Sequence, residues 1–123
     1  MNLNDIAKKA LSTAIKRQAN EAKIDHHTLP MLKHCAGEVV EATQAYVDYV
    51  TLLERSKETA ENTTETEEAF ASELADVICC ILIISANENI DIEEAVYKCM
   101  LKNAQRACGQ KNKGIISESE DNI

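Results

Sequence analysis

Two acidic pairs in the chain share one spacing, Glu38-Val39-Val40-Glu41 and Glu73-Leu74-Ala75-Asp76. Residues three apart on a helix lie on nearly the same face, so each segment sets two carboxylates side by side. The second pair opens the most apolar stretch of the chain, E-L-A-D-V-I-C-C-I-L-I-I-S from Glu73 to Ser85, and positions 73, 76, 77, 80 and 84 share a face. Glu73 and Asp76 therefore point where a core begins. Four carboxylates converging in a low-dielectric cleft raise one another's pKa strongly unless positive charge compensates them. A hard cation does so, and carboxylate oxygens with water suit Mg²⁺ or Mn²⁺, whereas zinc draws Cys or His. The competing reading is that each pair is an ordinary solvated helix face, since the chain holds 21 acidic residues.

A di-iron carboxylate site is the other metal chemistry that acids on helices suggest, but it needs Glu-x-x-His motifs, and no histidine lies three residues after a glutamate here. His34 stands one turn before Glu38, placed either for an ordinary helix-face contact or for a ligand contact.

The elements that must position these acids are helices. Three Gly and one Pro in 123 residues, with Ala, Leu, Glu, Lys and Ile abundant, give an all-α expectation. Apolar residues at Leu3, Ile6, Ala7, Ala10, Leu11, Ala14 and Ile15 predict a first amphipathic helix from Leu3 to about Lys23. Thr28 and Pro30 mark the start of a second, from about Leu29 to Lys57, with Met31, Cys35, Val39, Ala42, Tyr46, Val50 and Leu53 along one side. The polar, acidic stretch from Ser56 to Glu68 reads as a connecting loop, with Thr64 and Glu67 as a capping box for a third helix, about Glu67 to Glu88. A fourth follows from an Asp91 N-cap to about Ala107, with Ile92, Ala95, Val96, Met100 and Leu101 inward and Gly109 ending it. Residues 1–108 read as one helical domain and 109–123 as a polar tail.

The third helix is apolar around its whole circumference from Val77 to Ile84, and three other helices cannot cover it. This predicts a homodimer or homotetramer packed through that helix. The run is far shorter than the roughly 18 apolar residues that span a bilayer, and the polar start Asn2-Leu3-Asn4-Asp5 is unlike a signal peptide. Five cysteines without metal-finger spacing (Cys35, Cys79, Cys80, Cys99, Cys108) fit free thiols in a reducing cytosol. A formal charge of −8 argues against a protein built to grip nucleic acid, and a small anionic substrate would need a metal bridge.

At these residues the sequence resembles the MazG-like, all-α nucleoside triphosphate pyrophosphohydrolases, a superfamily that also holds dimeric dUTPases, dCTP pyrophosphatases and phosphoribosyl-ATP pyrophosphohydrolases. The resemblance runs through E-V-V-E-A (Glu38 to Ala42), E-L-A-D-V (Glu73 to Val77), N-I-D-I-E-E-A and K-N-A-Q-R, from about Leu32 to Arg106. It implies a four-helix MazG-like bundle that hydrolyses a (deoxy)nucleoside triphosphate between its α and β phosphates, with Mg²⁺, to a monophosphate and pyrophosphate. Carried over by position, Glu38, Glu41, Glu73 and Asp76 would hold the metal, and Glu38 or Glu41 would also orient the attacking water. Lys102, Asn103 and Arg106 match the family's phosphate-contacting end of the last helix, where they also read simply as cations and polar groups near a helix C-terminus. The sequence departs from the family pattern at Gly37, where a glutamate often stands, at Cys79 and Cys80, near where an aromatic residue often stands, and at Cys99, where a lysine often stands with Lys98 beside it here. Two rivals follow: a non-catalytic helical oligomer or regulatory binding protein that keeps the fold, and an enzyme acting on phosphoribosyl-ATP.

Overall fold

A computed structural model describes residues 2–21 and 25–109. It contains α1 (Leu3–Glu21), α2 (Thr28–Thr59), α3 (Thr64–Asn87) and α4 (Ile92–Ala107), and the described residues include no strand. The all-α expectation holds, and the tail expected over 109–123 lies, but for Gly109, outside the described residues.

Pro30 sits in the first turn of α2, where its missing N–H leaves no hydrogen bond unmade. The long acidic loop expected from Ser56 to Glu68 is corrected to a connection of residues 60–63, because both helices reach a turn further into it than the polar composition suggested. Lys, Glu and Thr on an exposed helix end cost little, and Glu65 and Glu67 in the first turn of α3 favour its positive end. Ala60 closes α2 in the left-handed conformation at φ +57°, its N–H donating to the Ser56 carbonyl. The capping box expected from Thr64 and Glu67 does not form. Thr63 is the cap residue and its side chain makes no capping bond; the Thr64 N–H and hydroxyl both donate to Asn62 Oδ1, at 2.9 and 2.7 Å. At this end of the hairpin Phe70 of α3 meets Tyr46 and Tyr49 of α2, with ring centroids 5.3 and 6.2 Å apart.

α3 is the central element, packed against α2 along one side and α1 along another, while α4 is held mainly through α1. Of the face of α3 anticipated from spacing, Cys80 is buried and Glu73, Val77 and Ile84 are half-buried, while Asp76, expected to point where the core begins, is exposed. Off that face Leu82 is buried and Ile83 half-buried, while Leu74, Ile78 and Ile81 stay exposed. By length and composition α3 is able to cross a membrane, although Glu73 and Asp76 interrupt its apolar stretch. The inward set expected on α4 is corrected as well, because contact with α1 alone covers a narrow stripe: Leu101 is fully buried and Ile92 half-buried, while Ala95, Val96 and Met100 face outward. On α2, likewise, Met31 and Ala42 are buried, but Val39 and Tyr46 are about half exposed.

The Asp91 N-cap forms as expected, its carboxylate accepting from the Glu94 N–H at 3.0 Å. It also accepts from the Asn4 amide at 2.8 Å, and Asn4 Oδ1 accepts from the Ile92 N–H at 3.0 Å, so one asparagine ties the start of α1 to the start of α4. Gly109, at φ +82°, follows α4 in a conformation that favours glycine.

Candidate metal centre

The antiparallel pairing of α2 and α3 brings the two acidic pairs face to face. Oxygens of Glu38, Glu73 and Asp76 all lie within 4.8 Å of one another. Glu41 stands at the rim, outside that trio yet close enough to act on both neighbouring glutamates. The structure thus brings the four acids singled out by spacing into one neighbourhood, three of them in a tight set.

The Glu38 side chain is 13% exposed, and its Oε1 lies 2.9 Å from His34 Nε2, one turn earlier on α2. Its Oε2 is buried without a hydrogen-bond partner, and so is Oε2 of Glu73. Buried carboxylate oxygens ordinarily find donors, so these two make the cluster a candidate site for a group that supplies positive charge. The electrostatics agree. Burial, then Glu41, and less strongly Asp76, push the Glu38 carboxyl above its ordinary value, with His34 opposing them. Burial, then Glu41 and Asp76, do the same to Glu73. The donor set is all oxygen, which fits a hard divalent ion, and no thiol or imidazole belongs to the trio.

The acids form a wall between two hollows. One, of about 290 Å³, is lined by Glu38, Asp76, His34, Arg17, Cys79 and Cys80 among others. The second, of about 340 Å³, is lined by Glu41, Glu73, Gln44, Asp48 and Thr66 among others. Cys79 and Cys80, where an aromatic residue was noted as missing, put two thiols on the first hollow. Burial, with Cys35 and the nearby carboxylates, pushes the Cys80 thiol up to about 11, which keeps it neutral and unreactive at ordinary pH. All five cysteines are unbridged.

The groups assigned to phosphate from the last helix are not brought to these hollows within one chain. Lys98 lies 3.0 Å from Glu94, the Asn103 amide donates to Cys99 Sγ at 3.8 Å, Lys102 is partly buried and Arg106 is exposed. None of them lines either hollow, because α4 docks on α1 rather than across α2 and α3. Arg17, conversely, was not singled out from sequence; it was one cation among several on the polar side of an amphipathic helix, and only the packing of α1 on α3 puts it on the lining of the first hollow.

Asp25, His26 and His27 bring three further donor atoms within 4.8 Å before α2. These are already engaged: His27 Nδ1 lies 2.5 Å from Asp25 Oδ1, and His26 Nδ1 lies 2.5 Å from Gln18 Oε1. The segment serves as an anchor, with the Asn87 amide donating to the His26 carbonyl and the Thr28 hydroxyl to Glu88 Oε1.

Four helices with an oxygen-donor acid cluster between the second and third define a helical class of protein with a candidate site for a hard divalent ion. The profile of the MazG nucleotide pyrophosphohydrolase domain matches residues 25–108, and the chain belongs to that family. The match spans α2, α3 and α4 and every acid of the cluster. No curated protein and no solved structure matches the chain significantly.

Proposed function

We propose that the protein is a Mg²⁺-dependent pyrophosphohydrolase, with Mn²⁺ able to substitute, that cleaves a ribo- or deoxyribonucleoside triphosphate between its α and β phosphates. Water adds to the α phosphorus, the bond to the bridging oxygen breaks, and monophosphate and pyrophosphate leave. The observation that carries this reading is the pair of buried, partnerless oxygens on Glu38 and Glu73, on a chain of the MazG family. Glu38, Glu41, Glu73 and Asp76 would hold the ion, which when bound offsets phosphate charge and favours ionisation of water. Glu41, at the exposed rim, is placed to orient the attacking water and take its proton, with Glu38 as the alternative base. His34 fixes the carboxylate plane of Glu38 through its Nε2 contact.

The exposed apolar side chains of α3 (Leu74, Ile78, Ile81) and α4 (Val96, Met100) support assembly as a homodimer or homotetramer. In this reading the assembly covers α3, so the protein has no membrane partner, and it works in the cytoplasm without binding nucleic acid. Lys98, Lys102, Asn103 and Arg106 contact phosphate only where assembly brings an α4 to the acids. A panel of ribo- and deoxyribonucleoside triphosphates with phosphoribosyl-ATP, assayed for pyrophosphate with Mg²⁺, is the test. Release from at least one nucleoside triphosphate is expected. No release, together with no effect of Mg²⁺ on the melting temperature, overturns the reading in favour of a non-catalytic helical protein; release from phosphoribosyl-ATP alone reassigns the substrate.

A further inference from the structure

We infer that Arg17 is a phosphate-binding residue of this site, its guanidinium taking non-bridging oxygens of the polyphosphate chain beside the acid cluster. The inference rests on the reading above and adds a group from α1, an element outside the matched residues 25–108.

Arg17 lines the same hollow of about 290 Å³ as Glu38, Asp76 and His34, and among the described residues no other Lys or Arg does. The other cations of α1 lie elsewhere, Lys8 and Lys16 on separate hollows away from the acids. One wall of the hollow therefore carries carboxylates and another a guanidinium. A metal does not neutralise this place alone: four carboxylates outweigh the two charges of one divalent ion, and the chain as a whole is at −8. A polyphosphate entering here meets residual negative potential unless a fixed cation faces it. Arginine suits the task, being always protonated and presenting a planar fork that matches phosphate oxygens two at a time.

Arg17 is also uncommitted. Among the described residues its partner is Glu21, one turn along the same helix at 3.8 Å, with the two side chains 57% and 52% exposed. An exposed pair at that length holds the guanidinium weakly, so turning to a phosphate costs little. The phosphate chain is a better match than the base, because the guanidinium shares its hollow with Glu38 and Asp76, where an ion would draw the phosphates.

Inorganic triphosphate with Mg²⁺ is titrated calorimetrically into the wild type, Arg17→Ala and Arg17→Lys, and the substrate found in the panel is used to measure KM and kcat. Arg17→Ala is expected to weaken triphosphate binding and raise KM by roughly ten- to a hundredfold. Arg17→Lys should recover part of the loss, and both variants should keep the helical circular dichroism and the Mg²⁺-dependent rise in melting temperature. Triphosphate binding by Arg17→Ala as tight as the wild type's overturns the inference, as does a wild type that does not bind triphosphate. A loss confined to the corresponding nucleoside overturns it in favour of base recognition. A wild type that binds triphosphate through Arg17 yet hydrolyses no nucleotide sinks the proposed function and leaves the phosphate site standing.

Discussion

His34 Nε2 lies 2.9 Å from Glu38 Oε1, so one oxygen of the most enclosed acid is held by its own helix while the other faces the cluster unpaired. Removing the imidazole takes away an influence that lowers the Glu38 pKa and leaves burial, Glu41 and Asp76, which raise it. His34→Ala should therefore move the acid limb of the kcat/KM profile to higher pH and reduce activity roughly tenfold or more. Superimposable profiles would show that His34 does not position Glu38.

The metal-free protein should lose stability as pH rises. Glu38 and Glu73 have folded-state values raised above an ordinary 4.5, so between that value and the raised ones the folded chain holds more protons than the unfolded chain. Stability then falls with pH across that window and stays low above it, where both acids are charged at close quarters. Mg²⁺ should reverse the loss above the window and do little below it. Melting curves from about pH 4 to 8 with and without Mg²⁺ test this, with the window's lower edge set by the unfolded carboxyl value; a metal effect of equal size at both ends would contradict it. Glu73→Gln should raise the metal-free melting temperature while reducing the response to Mg²⁺.

Asp76→Asn keeps the shape of the side chain but removes a charge from the set of three oxygen donors. Turnover should drop by more than about a hundredfold and the Mg²⁺-dependent stabilisation should vanish, with helical circular dichroism unchanged. Undiminished pyrophosphate release would remove Asp76 from the site.

Leu101 is the one fully buried side chain of α4, and the contact of α4 with α1 is short. Leu101→Ala should cost about 2–5 kcal/mol, read from urea denaturation, because that helix has little else to hold it. A loss below about 1 kcal/mol, the cost of a surface change, would mean that α4 is held by something other than this packing.

Gly37 is a helix-interior glycine one residue before Glu38, and a Cβ built there meets nothing within 4 Å. Gly37→Ala should stabilise the protein by about 0.5–1 kcal/mol through helix propensity alone, with KM unchanged. Destabilisation would show that the position needs glycine for a reason other than space.

The helical class, the starts of α2 and α4, the Asp91 cap and the two same-face acid pairs, Glu38 with Glu41 and Glu73 with Asp76, were all legible in the sequence. Each rests on local rules: helical period, proline and capping chemistry, and a three-residue spacing that holds on any helix. The connection between α2 and α3 was misjudged because composition separates a polar loop poorly from a solvated helix end. Only tertiary structure decided which acids share a cluster tightly and which stands at its rim, because that depends on the register of two helices against each other. It likewise put Arg17 on the lining of the hollow beside the acids and kept Lys98, Lys102, Asn103 and Arg106 off both hollows within one chain. Spacing along a helix determines which side chains share a face, but which face meets which is set by the burial that the whole fold can achieve, and no single segment encodes it.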